Sequence, residues 1–118
     1  MSLKLLHQYE TNLSESIRAL RDVVNDDKSM ASFLKTTQDP PEYKVAQDLL
    51  RQMEIESMNF MGSQEYSKNL RDGDLIRKKI QRFKKDLDQI RKTMRQKQEL
   101  HDYRENFSTD AEEADLEN

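Results

Sequence analysis

Apolar residues near the C-terminal end recur with a regular step. Ile76, Ile80, Phe83, Leu87, Ile90 and Met94 are separated by 4, 3, 4, 3 and 4 positions. That spacing draws one apolar stripe along a long helix and predicts that the stripe meets other helices. Nearly all residues between them are charged or polar, in the run Arg77 to Lys97. An isolated helix of this kind is marginal in water, so the pattern also demands partners.

Two further stripes lie upstream. Leu6, Tyr9, Leu13, Ile17, Leu20 and Val24 span 18 residues in five steps, the α-helical period, and predict a helix over about 3–25. Asn25-Asp26-Asp27 reads as its stop. Tyr43, Ala46, Leu50 and Met53 form the next stripe, widened by Leu49, with Ile55 and Met58 lying off it. A second helix over 41–60 follows, with Asp39 as its cap and Pro40 at its first position. Between these helices Met30, Phe33 and Leu34 keep helical spacing, whereas Thr36-Thr37-Gln38-Asp39 reads as loop or cap. That segment is therefore ambiguous, with Phe33 and Leu34 expected against the bundle as a short helical turn.

Met61 to Gly73 is polar, holds both glycines of the chain and reads as a loop. A third helix over 74–104 is expected after it, with Asp72 or Asp74 placing negative charge at its N-terminal end. Beyond Met94 the next seam positions are Lys97 and His101, while Leu100, Tyr103 and Phe107 continue an apolar pattern in a shifted phase. The helix is thus expected to outrun the bundle or bend. Residues 108–118 contain five acidic residues and no basic one, and read as a disordered acidic tail or linker.

These patterns predict an all-α fold. Residues 1–107 are expected as an antiparallel up-down-up three-helix bundle, the third helix longest, around Leu6, Leu13, Ile17, Leu20, Leu49, Leu50, Met53, Ile76, Ile80, Phe83, Leu87 and Ile90. A monomer is expected. The rival architecture is a long coiled coil made by self-association.

Composition narrows the choice. Apolar residues make up 34% of the 118 residues and charged ones 36%, with a mean hydropathy of -1.07. That is little core material for an α/β domain, but enough for slim helices that each bury one stripe. Two glycines and two prolines are too few for the turns of an all-β fold. Without cysteine there are no disulfides and no thiolate metal sites. No apolar run approaches the ~20 residues of a membrane span, and the polar, periodic start is not a signal peptide.

Signatures of catalysis are absent from the sequence. Two glycines cannot build a phosphate-cradling loop. His7 and His101 lie far apart, outside any metal-ligand spacing. No catalytic residue, cofactor or metal is expected. The run Arg77 to Lys97 holds ten Lys/Arg against Asp86 and Asp88, a charge that phosphates or anionic lipid would attract. Against this, the whole chain carries -3, and only Phe83 interrupts the basic residues as an aromatic. A solvated face with local ion pairs is the expectation, with no nucleic-acid partner. Met58, Phe60, Met61 and Tyr66 cluster at the end of the second helix and in the loop after it. Met serves both irregular core ends and adaptable binding surfaces, so these four are the candidate partner contact.

Two segments and the opening carry a family resemblance. Ala46-Gln47-Asp48-Leu49-Leu50-Arg51-Gln52-Met53-Glu54-Ile55-Glu56 resembles the second-helix signature of the Vti-type Qb-SNAREs, where a Leu-Leu/Ile step precedes Met-Asp/Glu-Leu-Glu. Arg77 to Arg91, with Lys79-Ile80-Gln81-Arg82-Phe83-Lys84-Lys85-Asp86-Leu87, is similar to that family's third helix, and Leu5-Leu6-His7-Gln8-Tyr9-Glu10 to its start. The matches cover most of residues 5–94 in order. The resemblance implies a Habc-like N-terminal regulatory domain, non-catalytic and protein-binding, on the cytosolic face of Golgi or endosomal membranes. It implies epsin-like adaptors and other SNAREs as partners. It also implies a SNARE motif and a C-terminal membrane anchor in the full gene. The break from Thr36 to Pro41 departs from the family pattern. The alternative function is a structural helical subunit of a soluble multiprotein assembly.

Overall fold

The three long apolar stripes, the last ending at Met94, form the core, and all the regular structure among the described residues is helical. The computed structural model describes residues 3–117, with side chains over 3–107. Five helices follow in order: α1 (Leu3–Asn25), α2 (Asp27–Thr36), α3 (Pro41–Met61), α4 (Gln64–Lys68) and α5 (Leu70–Glu117). No strand occurs among the described residues.

The three stripes converge on one core. Leu6, Leu13, Ile17, Leu20 and Val24 come from α1, Tyr43, Ala46, Leu50, Met53 and Phe60 from α3, and the whole seam Ile76 to Met94 from α5. Leu49 is only partly buried at its edge. The contact between α1 and α3 is the most extensive, and α5 touches both. Cross-helix ion pairs show the register. Glu10 meets Lys79 at 2.9 Å and Arg21 meets Asp86 at 3.3 Å, so residue numbers rise together along α1 and α5. Glu54 meets Lys84 at 3.5 Å and Met61 meets Arg77, so numbers along α3 fall as those along α5 rise.

Four features differ from the sequence expectation. The expected short helical turn against the bundle is extended into a ten-residue helix, α2, which begins at Asp27. Its Met30 is buried and its Phe33 and Leu34 pack on the core. It ends at Thr37, whose φ of 58° lies in the left-handed region. There the Thr37 and Gln38 N–H groups donate to the Leu34 and Phe33 carbonyls.

The start of α3 also differs. The cap position is Pro40 with Pro41 at the first turn, not Asp39 with Pro40. A residue preceding proline is driven to extended backbone, and Pro40 has that conformation, at φ -58° and ψ 141°.

The expected loop from Met61 to Gly73 contains α4, and α5 begins at Leu70 rather than Asp74. Gly73 is inside the helix. Asp72 lies in the first turn, where negative charge suits the helix dipole.

Finally, the seam does not stop serving the bundle at Met94. The Lys97 ammonium donates to the Val24 carbonyl at 2.5 Å, and the Gln98 amide donates to the Leu34 carbonyl at 3.0 Å. These carbonyls belong to the last turns of α1 and α2, where intrahelical donors run out; the Leu34 carbonyl also accepts from the Thr37 N–H at 3.4 Å. A cation there also complements the negative helix end, and α1 has no basic residue of its own in that turn. The polar seam position Lys97 thus caps α1, and Gln98 beside it bonds the end of α2. The backbone of α5 continues to Glu117; the expected tail over 108–118 falls on residues whose side chains lie outside the described ones.

Candidate interaction surface

α3 ends at Met61, and the chain turns through Gly62 and Ser63 into α4. The turn is closed by bonds to the freed carbonyls of α3. The Gly62 N–H donates to Met58 at 3.2 Å, and the Ser63 N–H and hydroxyl both donate to Phe60, at 3.0 and 2.6 Å. This tight return sets α4 beside the first turns of α5.

Three of the four candidate contact residues are drawn into this corner. Phe60 is 4% exposed and belongs to the core. The Tyr66 ring meets it edge to face, with centroids 5.8 Å apart at 77°, a favoured aromatic geometry. Tyr66 also lies flat enough on α5 that a Cβ at Gly73 would stand 2.5 Å from its Cε2. The Arg77 guanidinium covers the outside. Its Nε and Nη2 lie 3.0 and 2.7 Å from the Met61 sulfur, and Nη2 lies 3.5 Å from the Tyr66 hydroxyl.

Met58 is not part of this group. It is 69% exposed, because two residues along a helix rotate a side chain by roughly 200° from Phe60. Its neighbour on the outer face is Ile55, three residues earlier and 45% exposed. Sequence reasoning placed Ile55 off the core stripe but did not pair it with Met58, although their spacing carries that signal. Gly73 and Arg77, which complete the corner, carried no such signal.

A minority of the remaining surface charge is paired, and locally. Besides the cross-helix pairs, Arg91 and Lys92 lie 3.5 and 3.2 Å from Asp88 on the same helix. These are exposed pairs of the kind worth at most about 1 kcal/mol each. Lys78, Lys85 and Arg95 have no ion pair among the described residues, and Arg82 lies over the Phe83 ring at 5.8 Å. The histidines stay apart, His7 lying 3.5 Å from Glu10 and His101 3.9 Å from Glu105.

Among the described residues, Asp26 and Tyr43 are shifted from their ordinary range. The Ser29 hydroxyl, 2.6 Å from the Asp26 carboxylate, holds that carboxyl below its usual value. Burial pushes the Tyr43 phenol upward, against the nearby charge of Arg91. Among the described residues no cluster of three or more metal-binding side chains forms. What the arrangement offers chemically is surface: an apolar pair at Ile55 and Met58, an Arg-sealed corner, and the outer face of α5. No family model, curated protein or solved structure matches this chain.

Proposed function

We propose that this chain is a non-catalytic protein-binding module, the N-terminal regulatory domain of a Vti-type SNARE acting in Golgi or endosomal vesicle traffic. The observation that carries the reading is the covered seam. Ile76 to Met94 is buried against α1 and α3 of the same chain, so the long helix needs no second chain for its core, and its outer surfaces remain free for partners. The reading takes the three long helices as an up-down-up, Habc-like bundle. It is supported by the register of the ion pairs, which rises along α1 with α5 and falls along α3, and by the order of the sequence resemblances over 5–94. The domain sits on the cytosolic side of its membrane, and its partners are other SNAREs and an epsin-like adaptor.

Within this reading Met58, with Ile55 beside it, is the adaptor contact, and Met61 forms its edge. Phe60 and Tyr66 hold the corner that presents them. Titration of the chain with an epsin-like adaptor from the same organism tests this. Saturable binding that Ile55→Glu and Met58→Glu abolish, at unchanged helicity, supports it. Absence of binding to the adaptor contradicts it. So does a coding sequence without a heptad SNARE motif and an apolar span beyond Asn118.

A second reading has its own observation. Leu100, Tyr103 and Phe107 are exposed on α5, as they would be in a structural subunit that joins a soluble helical assembly by coiled-coil contact. Stable hetero-oligomerisation through that stripe, with no adaptor binding, would favour it.

A further inference from the structure

The exposed side of α5 changes character along its length without changing direction. At about 100° per residue, Lys78, Arg82, Lys85, Gln89, Gln96, Leu100, Tyr103 and Phe107 fall within a strip about 60° wide. All eight are solvent-exposed. The strip is about 44 Å long at roughly 1.5 Å per residue, and it contains no acidic side chain. Asp86 and Asp88 flank it but are engaged with Arg21 and with Arg91 and Lys92, and Glu99 lies just beyond its edge. Lys78 and Lys85 have no ion pair among the described residues, and Arg82 lies over the Phe83 ring. At the far end Leu100, Tyr103 and Phe107 are 49%, 67% and 65% exposed, and the two aromatic rings stack on each other at 6.3 Å.

We propose that this strip is a docking surface for an anionic lipid bilayer, with Lys78, Arg82 and Lys85 on the headgroups and Leu100, Tyr103 and Phe107 in the interfacial layer. Charge complementarity selects this partner. A straight cationic line on a rigid helix matches a flat negative surface, and each Lys/Arg near such a surface adds to the attraction. A bilayer also receives aromatic and aliphatic side chains at its headgroup boundary. The phosphate backbone of duplex nucleic acid satisfies the cations alone and leaves the three apolar side chains in water. The net charge of the chain works against the contact, but only through its C-terminal stretch. It is -3 overall and -5 within 108–118, which leaves +2 on the remainder. The contact lies on the surface, since no helix among the described residues is long and apolar enough to cross a membrane.

Vesicle co-sedimentation of the full chain tests the proposal. Phosphatidylcholine vesicles are compared with vesicles that also contain phosphatidylserine, at low and physiological salt. Binding is expected only to the phosphatidylserine vesicles and weakens as salt rises. The triple variant Lys78→Glu, Arg82→Glu, Lys85→Glu loses about a hundredfold or more in affinity, following from roughly fivefold per cation removed. Tyr103→Ser with Phe107→Ser weakens binding but keeps its salt dependence. Circular dichroism establishes that both variants remain helical. Equal binding to the two kinds of vesicle, full binding by the triple variant, or tighter binding to duplex DNA than to phosphatidylserine vesicles overturns the proposal. So does the absence of binding at low salt.

Discussion

Gly73 and Tyr66 are in such close contact that any larger residue at 73 displaces the ring. A Cβ there would stand 2.5 and 2.8 Å from Cε2 and Cδ2 of Tyr66, well inside van der Waals contact. In an ordinary exposed helix interior, Gly→Ala gains up to about 1 kcal/mol. Here the sign reverses, and Gly73→Ala is expected to destabilise the chain in urea unfolding. In a Tyr66→Ala background the same change should stabilise it. The double-mutant cycle therefore yields a coupling of about 1 kcal/mol or more. Additive effects would show that the ring does not rest on the glycine.

Lys97 gives a second expectation. Its ammonium caps the Val24 carbonyl at a seam position otherwise occupied by apolar residues. Lys97→Met keeps the apolar stem but removes the donor, so it separates capping from packing. A loss of about 1 kcal/mol is expected, the low end for a charged hydrogen bond because the side chain is 28% exposed. Unchanged or increased stability in Lys97→Met would show that the position is an unfilled part of the apolar seam.

Thr37 is the one non-glycine residue with positive φ among the described residues. A β-branched side chain is strained in the left-handed region, and this is the helix-terminating position where glycine is favoured. Thr37→Gly should raise stability by about 1 kcal/mol. A fall in the thermal midpoint would mean that the threonine side chain is doing something the strain argument omits.

Asp26 makes stability depend weakly on acid. Its carboxyl is held below the ordinary 3.8 by the Ser29 hydroxyl. A group whose pKa is lowered on folding stabilises the fold above its unfolded value, and loses that contribution as pH falls through the folded value. The side-chain resonance of Asp26 should therefore titrate lower in the native protein than in Ser29→Ala. Identical titration in the two proteins would remove the hydroxyl as the cause.

Much of this architecture was legible in the sequence, because a buried face repeats with the helix. The stripes of α1, α3 and α5 are long enough for the period to dominate. α2 has only four apolar residues in ten, Met30, Ala31, Phe33 and Leu34, so its pattern could not be separated from a single helical turn. The first turn of α5 was hidden because glycine reads as a breaker, and only the Tyr66 ring above it makes Gly73 suitable there. The role of Lys97 depends on where α1 ends in space, which no local pattern encodes. At the candidate site, grouping Met58 with Phe60 by adjacency overlooked the rotation between them, whereas pairing Ile55 with Met58 follows from the helical period alone.

The seam of α5 is covered by α1 and α3 of its own chain. Sedimentation across a wide concentration range measures this most directly. The account predicts a helical monomer of 14.1 kDa, elongated by the length of α5, with a mass and thermal midpoint independent of concentration. An oligomer whose dissociation on dilution melts the helices would contradict it, because the seam would then belong to a contact between chains.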